Sequence, residues 1–288
     1  MSFREERVIQ GSPSPADKSI EPPTATSHGS AGSDKIAQFF AGLLGLIFVA
    51  LRWRGFSHPA GRPWIVLGIT LLFAWLAWMT RGVDLSGAFA GAVIAFIMAS
   101  RDLRLFAILL LIFTVTLAAT RVKRNRKIHL KLASRRESKN GRSAAQVMAN
   151  LGVAGLLLSL PQFDLWLVPV LAALAELAAD TTSSEIGAVL GGRTLLITSW
   201  RTVTPGTDGG ISLVGTGAAI LSSTVVAMSA LALRLVSPRG AAVVVASAVL
   251  GMMFDSLLGA TLERRGRLNN NMVNLLGTAS AATLGWLL

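Results

Sequence analysis

The amino-acid sequence predicts an all-α protein, a polytopic membrane helix bundle with about nine transmembrane helices and a small cytoplasmic hairpin region. The chain has 288 residues, of which 52% are hydrophobic and only 15% are charged, whereas soluble domains carry about 25% charge. Its apolar residues form long blocks, most of them close to the roughly 17–25 residues that cross a bilayer. With no cysteine, the chain has no disulfide framework and no thiolate chemistry.

Nine apolar blocks are the predicted helices. They span residues 36–51, 64–79, 85–99, 105–119, 144–160, 165–179, 211–233, 241–258 and 272–288. Residues 1–34 are rich in Pro, Ser, Thr and Gly, which predicts a disordered cytoplasmic tail. Residues 35–288 are predicted to form a single membrane domain, whose chemistry is expected within residues 139–275.

Basic residues indicate how the helices are oriented in the cell (inner) membrane. The net charge is +12, and ten Lys and Arg residues lie between Arg121 and Arg142. Such clusters mark cytoplasmic loops of membrane proteins. The location of the positive charge therefore indicates membrane orientation, and we expect no nucleic-acid partner. With this loop inside, the N-terminus is cytoplasmic and the polar helix ends of the second half lie on the cytoplasmic face.

The segment ELAADTTSSEIG, residues 176–187, contains candidate metal ligands. Glu176 and Asp180 are four residues apart, so they share one face of a helix. Ionisable groups inside a membrane span suggest function by default. Because two facing carboxylates repel unless a cation lies between them, the pair predicts a Mg²⁺ site that bridges to phosphates.

Glu185 has two interpretations. If the helix continued, Glu185 would point away from Asp180, but the hydroxyl run 181–184 is predicted to interrupt the helix because such side chains compete for backbone hydrogen bonds. Glu185 then joins the candidate site. The alternative is a capping box in which Thr182 and Glu185 begin a short following helix.

A second set of polar candidate residues lies within residues 254–274. Asp255 is expected one or two turns inside the membrane, and Asn270 and Asn274 share a helix face. Amides there can bind a phosphate oxygen, a ribose hydroxyl or metal-bound water. The alternative is that Asn271 is an N-cap and the others make interhelical hydrogen bonds.

A polar stripe opens the fifth predicted helix. Arg142, Gln146 and Asn150 recur every four residues, so they form one line that descends into the membrane and faces protein or water. They are candidates for binding phosphate, with helix packing as the alternative interpretation.

Residues 191–210 predict a cytoplasmic hairpin followed by a glycine-rich loop. Two β-branched stretches, 194–198 and 202–204, flank the sequence SWR. The loop TPGTDGG follows, and glycines before a helix can leave backbone N–H groups free to cradle phosphate. A simple surface turn is the alternative. The loop residues proposed to bind the nucleotide are Gly206, Thr207, Asp208, Gly209 and Gly210.

Four motifs in this order resemble the phytyl-phosphate kinase family of integral membrane proteins: ADTTSSEIG, RTLLITSWRTVTPGTDGGISLVGTGAA, DSLLGATLE and NNNMVNLLGT. The resemblance covers roughly residues 65–288 and is sharpest over 139–275. It implies a membrane kinase that transfers a phosphoryl group from CTP to an isoprenyl monophosphate, such as phytyl or geranylgeranyl phosphate. The plant members of that family are expected to have glutamates at the positions of Asp208 and Asp255, and aspartate at these positions keeps a carboxylate.

The candidate residues are assigned to three roles. The catalytic candidates are Asp180, Glu185, Asp255 and Asn274. The candidates for phosphate or nucleotide binding are the five loop residues 206–210 with Arg142, Asn150, Asn270 and Asn271. The Mg²⁺ candidates are Glu176, Asp180, Glu185, Asp208 and Asp255. Phosphoryl transfer depends mainly on positioning and charge neutralisation, which these groups would supply.

Two other functions share parts of this pattern. A secondary transporter also uses embedded carboxylates and broken helices, but its site usually lies near the membrane midplane, whereas these residues gather at one face. A lipid cytidylyltransferase would share CTP, Mg²⁺ and the membrane lipid partner, and would be separated from a kinase by its products.

Overall fold

The computed structural model describes residues 63–122 and 141–288, and eight long helices lie in these ranges. They are α1 (Pro63–Met79), α2 (Leu85–Arg101), α3 (Leu103–Arg121), α4 (Ala144–Ser159), α5 (Leu167–Leu190), α6 (Leu213–Ala232), α7 (Pro238–Leu258) and α8 (Asn270–Leu287). A 3₁₀ segment (Phe163–Trp166) precedes α5, and a π-helical segment (Gly259–Glu263) extends α7. The predicted first helix, the predicted tail and most of the basic loop lie outside the described residues.

Eight of the nine predicted blocks therefore correspond to observed helices. Among the described residues, three helices are long and apolar enough to cross a membrane by themselves: Leu103–Arg121, Leu213–Ala232 and Pro238–Glu263. The helices α1, α2 and α4 are apolar but shorter. Large apolar side chains stay exposed on the outer faces, as at Phe89 (75%) and Leu213 (92%), which is typical of a surface that contacts lipid.

Helix α5 is the centre of the bundle. It packs against α3, α4, α6, α7 and α8, and its residues from Pro169 to Ala179 are buried. A helix buried on all sides must present small or apolar residues in every direction, and the alanine-rich sequence LAALAELAA does so. The carboxylates of α5 are therefore not on the outer surface of the bundle: Glu176 is buried, and Asp180 and Glu185 are half-buried.

The predicted interruption of α5 is wrong, because the helix continues through residues 181–184 to Leu190. The Thr182 hydroxyl donates to the carbonyl of Ala178, one turn earlier, at 2.8 Å. Its oxygen also lies 2.8 Å from the hydroxyl of Ser222 on α6. The hydroxyl thus bonds within the helix and across to α6, so it does not compete with the helical backbone, and the alternative capping box at Thr182 is also wrong.

The predicted hairpin is confirmed, and a third strand joins it. Strand β1 (Thr194–Leu196) pairs antiparallel with β2 (Thr202–Val203) and with β3 (Gly210–Ile211), giving the order β2-β1-β3. The β-branched residues favour the extended backbone. This small sheet connects the end of α5 to the start of α6.

The bundle has two ends that differ in their polar residues. The "cavity end" comprises the α1–α2 turn, the last turns of α3 and α5, and the first turns of α4 and α8. The "far end" comprises the α2–α3 turn, the α4–α5 and α6–α7 connections and the end of α8. Contacts tie each end together: Arg121 Nη2 donates to Thr80 O at the cavity end, and Trp166 stacks on Trp286 at the far end.

Candidate functional site

A cavity of about 420 Å³ opens at the cavity end, a volume within the roughly 300–1,000 Å³ of small-molecule sites. Residues of α1, α2, α3, α4, α5 and α8 line it. Its charged and amide-bearing residues are Arg81, Arg121, Arg142, Gln146, Asn150, Asp180, Glu185, Asn270 and Asn274. Six of these nine belong to the sites predicted from the sequence, and Gln146 belongs to the predicted polar stripe.

One face of α5 carries the carboxylates of this cavity. Leu177, Asp180, Thr181, Ser184 and Glu185 line it, at the spacing i, i+3, i+4, i+7 and i+8 of a single helical face. Asp180 and Glu185 occupy the two edges of that face, about 140° apart by the helical repeat. The unbroken helix does turn Glu185 away from Asp180, as expected, but both residues still line the cavity.

Arg142 is held by the α1–α2 turn. Its N–H donates to the carbonyl of Gly82 at 3.1 Å, and its carbonyl accepts from the N–H of Asp84 at 3.0 Å. Gly141, with φ of +99°, lies so close to Val83 that an added Cβ would be 2.6 Å from its carbonyl carbon. These contacts fix the backbone, and Arg142 Nη2 lies 3.5 Å from Thr181 Oγ1 at the wall of α5.

The acid of this turn, Asp84, caps α2 and does not line the cavity. Its carboxylate accepts from the Gly87 N–H at 2.8 Å and from the Ser86 hydroxyl at 2.7 Å. Those hydrogen bonds lower its pKa, with the Gly87 N–H as the largest cause. Asp84 therefore stabilises the turn that holds Arg142.

Amide side chains form the opposite wall. Asn150 Nδ2 donates to Gln146 O at 2.7 Å, which leaves Asn150 Oδ1 directed towards Asn274 Nδ2 at 3.4 Å. Asn150 is only 9% exposed. The predicted stripe of Arg142, Gln146 and Asn150 does line one cavity.

The start of α8 differs from the expectation. The N-cap is Asn269, whose side chain accepts from the Met272 N–H at 3.0 Å. The alternative assignment of Asn271 as the N-cap is therefore wrong. Asn270 and Asn274 line the cavity on one helical face, whereas Asn271 is not among the lining residues.

Two cavity arginines, Arg81 and Arg121, were not among the predicted site residues. Arg121 donates to Thr80 O at 2.9 Å, and Arg81 has a φ of 55°. Both directly follow apolar blocks, where positive charge is also expected at a membrane interface. Because arginines are ordinary at a membrane interface, the sequence alone does not distinguish these two as site residues. The fold brings them to the same cavity as Arg142.

Two of the predicted metal ligands lie behind the cavity. Glu176 is 1% exposed and Asp255 is 9% exposed, and both pack against Gly277 of α8. A Cβ added at Gly277 would be 2.7 Å from Glu176 Oε1 and 3.1 Å from Asp255 Oδ2. Among the described residues Glu176 Oε1 has no hydrogen-bond partner, which is uncommon for a buried polar atom and calls for an explanation.

The loop TPGTDGG lies at the same end of the bundle but outside the cavity lining. The Thr207 N–H and hydroxyl both donate to Thr204 O, at 3.2 and 2.7 Å, and the Gly210 N–H donates to Thr207 O at 2.9 Å. Gly209, at φ +74°, contacts the π-helical segment so closely that a Cβ would be 2.4 Å from Ala260 Cβ. The loop is thus fixed against the end of α7.

The five predicted Mg²⁺ ligands are divided among these three places. Asp180 and Glu185 line the cavity, Glu176 and Asp255 are buried behind it, and Asp208 is in the loop. Within residues 63–122 and 141–288, no three His, Cys, Asp or Glu side chains are grouped so that they could hold a metal ion. Mg²⁺ commonly binds one or two carboxylates and completes its shell with substrate phosphates and water, and of the five candidates only Asp180 and Glu185 line the cavity where such a substrate could bind.

Comparison with known proteins identifies relatives among membrane proteins. An uncharacterized membrane protein of Methanocaldococcus jannaschii is 27% identical over 234 residues, covering 79% of this chain and 94% of that protein. Protein VTE6, chloroplastic, of Arabidopsis thaliana is 30% identical over 173 residues, covering 57% of this chain and 52% of that protein. Protein PGR of Arabidopsis thaliana is 28% identical over 240 residues, covering 73% and 82%. No solved structure matches the chain.

The family comparison is consistent with these relatives. The match to the integral membrane protein family DUF92 covers residues 68–282, which include every residue that lines the cavity. The relationship to VTE6 confirms the resemblance to the phytyl-phosphate kinase family. The chain belongs to the DUF92 family of integral membrane proteins.

Proposed function

We propose that the protein is a membrane phosphotransferase that moves a phosphoryl group from CTP to an isoprenyl monophosphate and yields the diphosphate. The observation that carries this proposal is the mixed character of the cavity. Three arginines and two carboxylates line it towards the cavity end, whereas Phe73, Leu109 and Ile112 line it farther along α1 and α3. An isoprenyl monophosphate has a matching anionic head and apolar tail.

The proposed reaction is a single phosphoryl transfer. An oxygen of the lipid phosphate attacks the γ-phosphorus of CTP, the new P–O bond forms, the bond to the β–γ bridging oxygen breaks, and CDP leaves. Both reactants are anions, so the main tasks of the protein are to hold them in line and to neutralise charge. Arg142, with its backbone fixed by the α1–α2 turn, binds the acceptor phosphate together with Arg81 and Arg121.

Asp180 is proposed to bind Mg²⁺ carried by the nucleotide, with Glu185 on the other edge of the same helical face. The metal would neutralise charge on the transferred phosphoryl group. Asn150 and Asn274 offer amide groups to phosphate oxygens at the inner side. Glu176 and Asp255, both buried behind the cavity, are proposed to add negative charge near Asp180 that favours binding of the cation.

The loop TPGTDGG is proposed to contact the nucleotide from the side of the small sheet. Gly206 and Gly209 adopt positive φ angles, which glycine accepts easily, and the fixed turn presents Asp208 at the cavity end. A carboxylate near a triphosphate requires a cation between the two, so Asp208 would act through Mg²⁺. The cavity end is proposed to face the cytoplasm of the cell, where CTP is available.

The test is product analysis with purified protein. The protein is incubated in detergent with Mg²⁺, CTP and either phytyl or geranylgeranyl monophosphate, and the products are identified by mass spectrometry. The expected products are the isoprenyl diphosphate and CDP. A CDP-linked lipid with pyrophosphate would instead indicate a cytidylyltransferase. No conversion, together with uptake of an ion or solute into proteoliposomes, would indicate a transporter.

A further inference from the structure

The residues that line the cavity are spread along the helix axes, starting from the cavity end. Arg81 and Arg142 lie at the cavity end, and residues such as Phe73 and Leu109 lie farther from this end along their helices and so deeper in the bundle. Because an α-helix rises about 1.5 Å per residue, Gly91 on α2 lies roughly 6 Å deeper than Gly87. The deepest lining residues on α1 and α3 are Phe73 and Leu109.

The deep part of the cavity is apolar and rigid. Phe73 forms edge-to-face contacts with Phe106 and Phe113, with ring centroids 5.6 and 5.3 Å apart. Such aromatic pairs hold rings in defined positions. Ala74 and Ala77 of α1 contribute small side chains to the same wall, which leaves room for an apolar group beside these rings.

Gly91 is the position where this space is open. A Cβ added at Gly91 would have no heavy atom within 4 Å, whereas one added at Gly87, a turn earlier on the same helix, would lie 2.1 Å from Arg142 O. Both glycines line the cavity. The absence of a side chain at Gly91 therefore creates cavity volume without serving backbone packing.

We propose that this apolar part binds the isoprenyl chain of the lipid and that Gly91 determines how long a chain is accepted. The inference rests on the proposed function, because the lipid phosphate must lie beside the arginines of the cavity end for the isoprenyl chain to reach Gly91. A short chain would end before Gly91, and a long chain would continue past it. A side chain at this position would therefore exclude long chains selectively.

The experiment measures binding without nucleotide. Dissociation constants for dimethylallyl, geranyl and geranylgeranyl monophosphates are obtained from the thermal stabilisation of the purified protein in detergent. The variants are Gly91→Leu and the milder Gly91→Ala, which keeps the test valid if leucine impairs folding. The control is Gly217→Leu, because Gly217 is an exposed glycine of α6 where an added Cβ also meets nothing within 4 Å.

Gly91→Leu is expected to weaken geranylgeranyl monophosphate binding by about tenfold or more, the usual size of steric discrimination in an apolar pocket. The dissociation constant of dimethylallyl monophosphate should change little. Gly91→Ala should weaken binding of the same lipids by a smaller factor, and Gly217→Leu should leave all three dissociation constants unchanged. Equal effects on all three lipids, or no effect, would overturn the proposal. Chain-selective binding without phosphoryl transfer would overturn the proposed function alone, and transfer with unchanged chain preference would overturn the role of Gly91 alone.

Discussion

The far end and the interior of the bundle each contain a carboxylate that is 1% exposed, and the surroundings of the two carboxylates differ. Asp102, at the far end, accepts from the backbone N–H of Arg104 at 2.8 Å and from its side chain, Nε lying 2.9 Å from Oδ2. Arg104 also donates to the carbonyl of Leu233 at 3.1 Å. Glu176, in the middle of α5 and behind the cavity, has an oxygen without a hydrogen-bond partner among the described residues.

The difference separates a structural acid from a candidate functional one. A buried charge is ordinarily paired and hydrogen-bonded, as Asp102 is, and removing one partner of such a pair is strongly destabilising. Glu176 instead lies beside other carboxylates and behind a polar cavity, an arrangement common at functional sites. Loss of the Asp102–Arg104 pair should therefore reduce stability, whereas loss of a cavity carboxylate should mainly reduce activity.

The largest expected effect follows from Asp180→Asn, which keeps the side-chain volume and removes the charge. Phosphoryl transfer should fall by about 100-fold or more, the usual size for a lost electrostatic contact to a transition state. The matched control is Asp164→Asn, an exposed acid at the far end, which should retain wild-type turnover. The measurement is the rate of diphosphate formation; near wild-type turnover in Asp180→Asn would show that this acid is not needed.

A smaller loss is expected for Arg142→Gln. Charged hydrogen bonds contribute roughly 1.5–3 kcal/mol, which corresponds to an increase of about 10- to 150-fold in the KM for the lipid phosphate. Arg239→Gln alters an exposed arginine at the far end and should have no effect. Steady-state kinetics with varied lipid concentration measure both. If both variants raise KM equally, the effect comes from membrane charge rather than from the cavity.

Gly277→Ala tests the buried acids through packing. The added methyl group would overlap Glu176 Oε1 and crowd Asp255, and overpacking costs about 1–3 kcal/mol. The control Gly217→Ala fills open space on a helix and should stabilise by up to about 1 kcal/mol. Thermal unfolding in detergent should therefore shift in opposite directions. An unchanged or raised Tm for Gly277→Ala would mean that the two acids move apart without cost.

The smallest effect on stability is expected at two arginines with the same backbone conformation. Arg81 at the cavity end and Arg234 at the far end both have positive φ, at 55° and 59°, where glycine is favoured by about 1 kcal/mol. Arg81→Gly and Arg234→Gly should each raise the Tm slightly. Only Arg81→Gly should weaken binding of the lipid phosphate, and equal binding in the two variants would remove Arg81 from the site.

Most of the fold could be predicted from the sequence because lipid imposes a simple rule. Each helix must supply an apolar segment of nearly fixed length, and eight predicted blocks match observed helices. The path of α5 could not be predicted, since the Thr182 hydroxyl favours a break in isolation, whereas in the fold it bonds back to Ala178 O and lies against the hydroxyl of Ser222. That partner is 40 residues away in the chain, so no local pattern reveals it.

The candidate site was predicted in part for a related reason. Residues whose type is unusual in a membrane, such as Asp180, Asn150 and Asn274, stand out against an apolar background and do meet in one cavity. Arg81 and Arg121 do not stand out, because arginines are ordinary at helix ends. The apolar wall near Gly91 could not be predicted either. Leucine, alanine and glycine occur in membrane helices both where they face a cavity and where they face lipid, so the sequence does not distinguish the two positions.

The most direct test of the central claim, that a lipid phosphate binds in this cavity, is photo-crosslinking. Two analogues of geranylgeranyl monophosphate carry a photoreactive group, one at the end of the chain and one beside the phosphate, and the labelled peptides are identified by mass spectrometry. The predicted result is chain-end labelling near Phe73 and Leu109 and head-side labelling near Arg142 and Thr181, both suppressed by unlabelled lipid phosphate. Labelling confined to outward residues of α6, such as Ile220 and Leu221, or labelling that unlabelled lipid does not suppress, would contradict it.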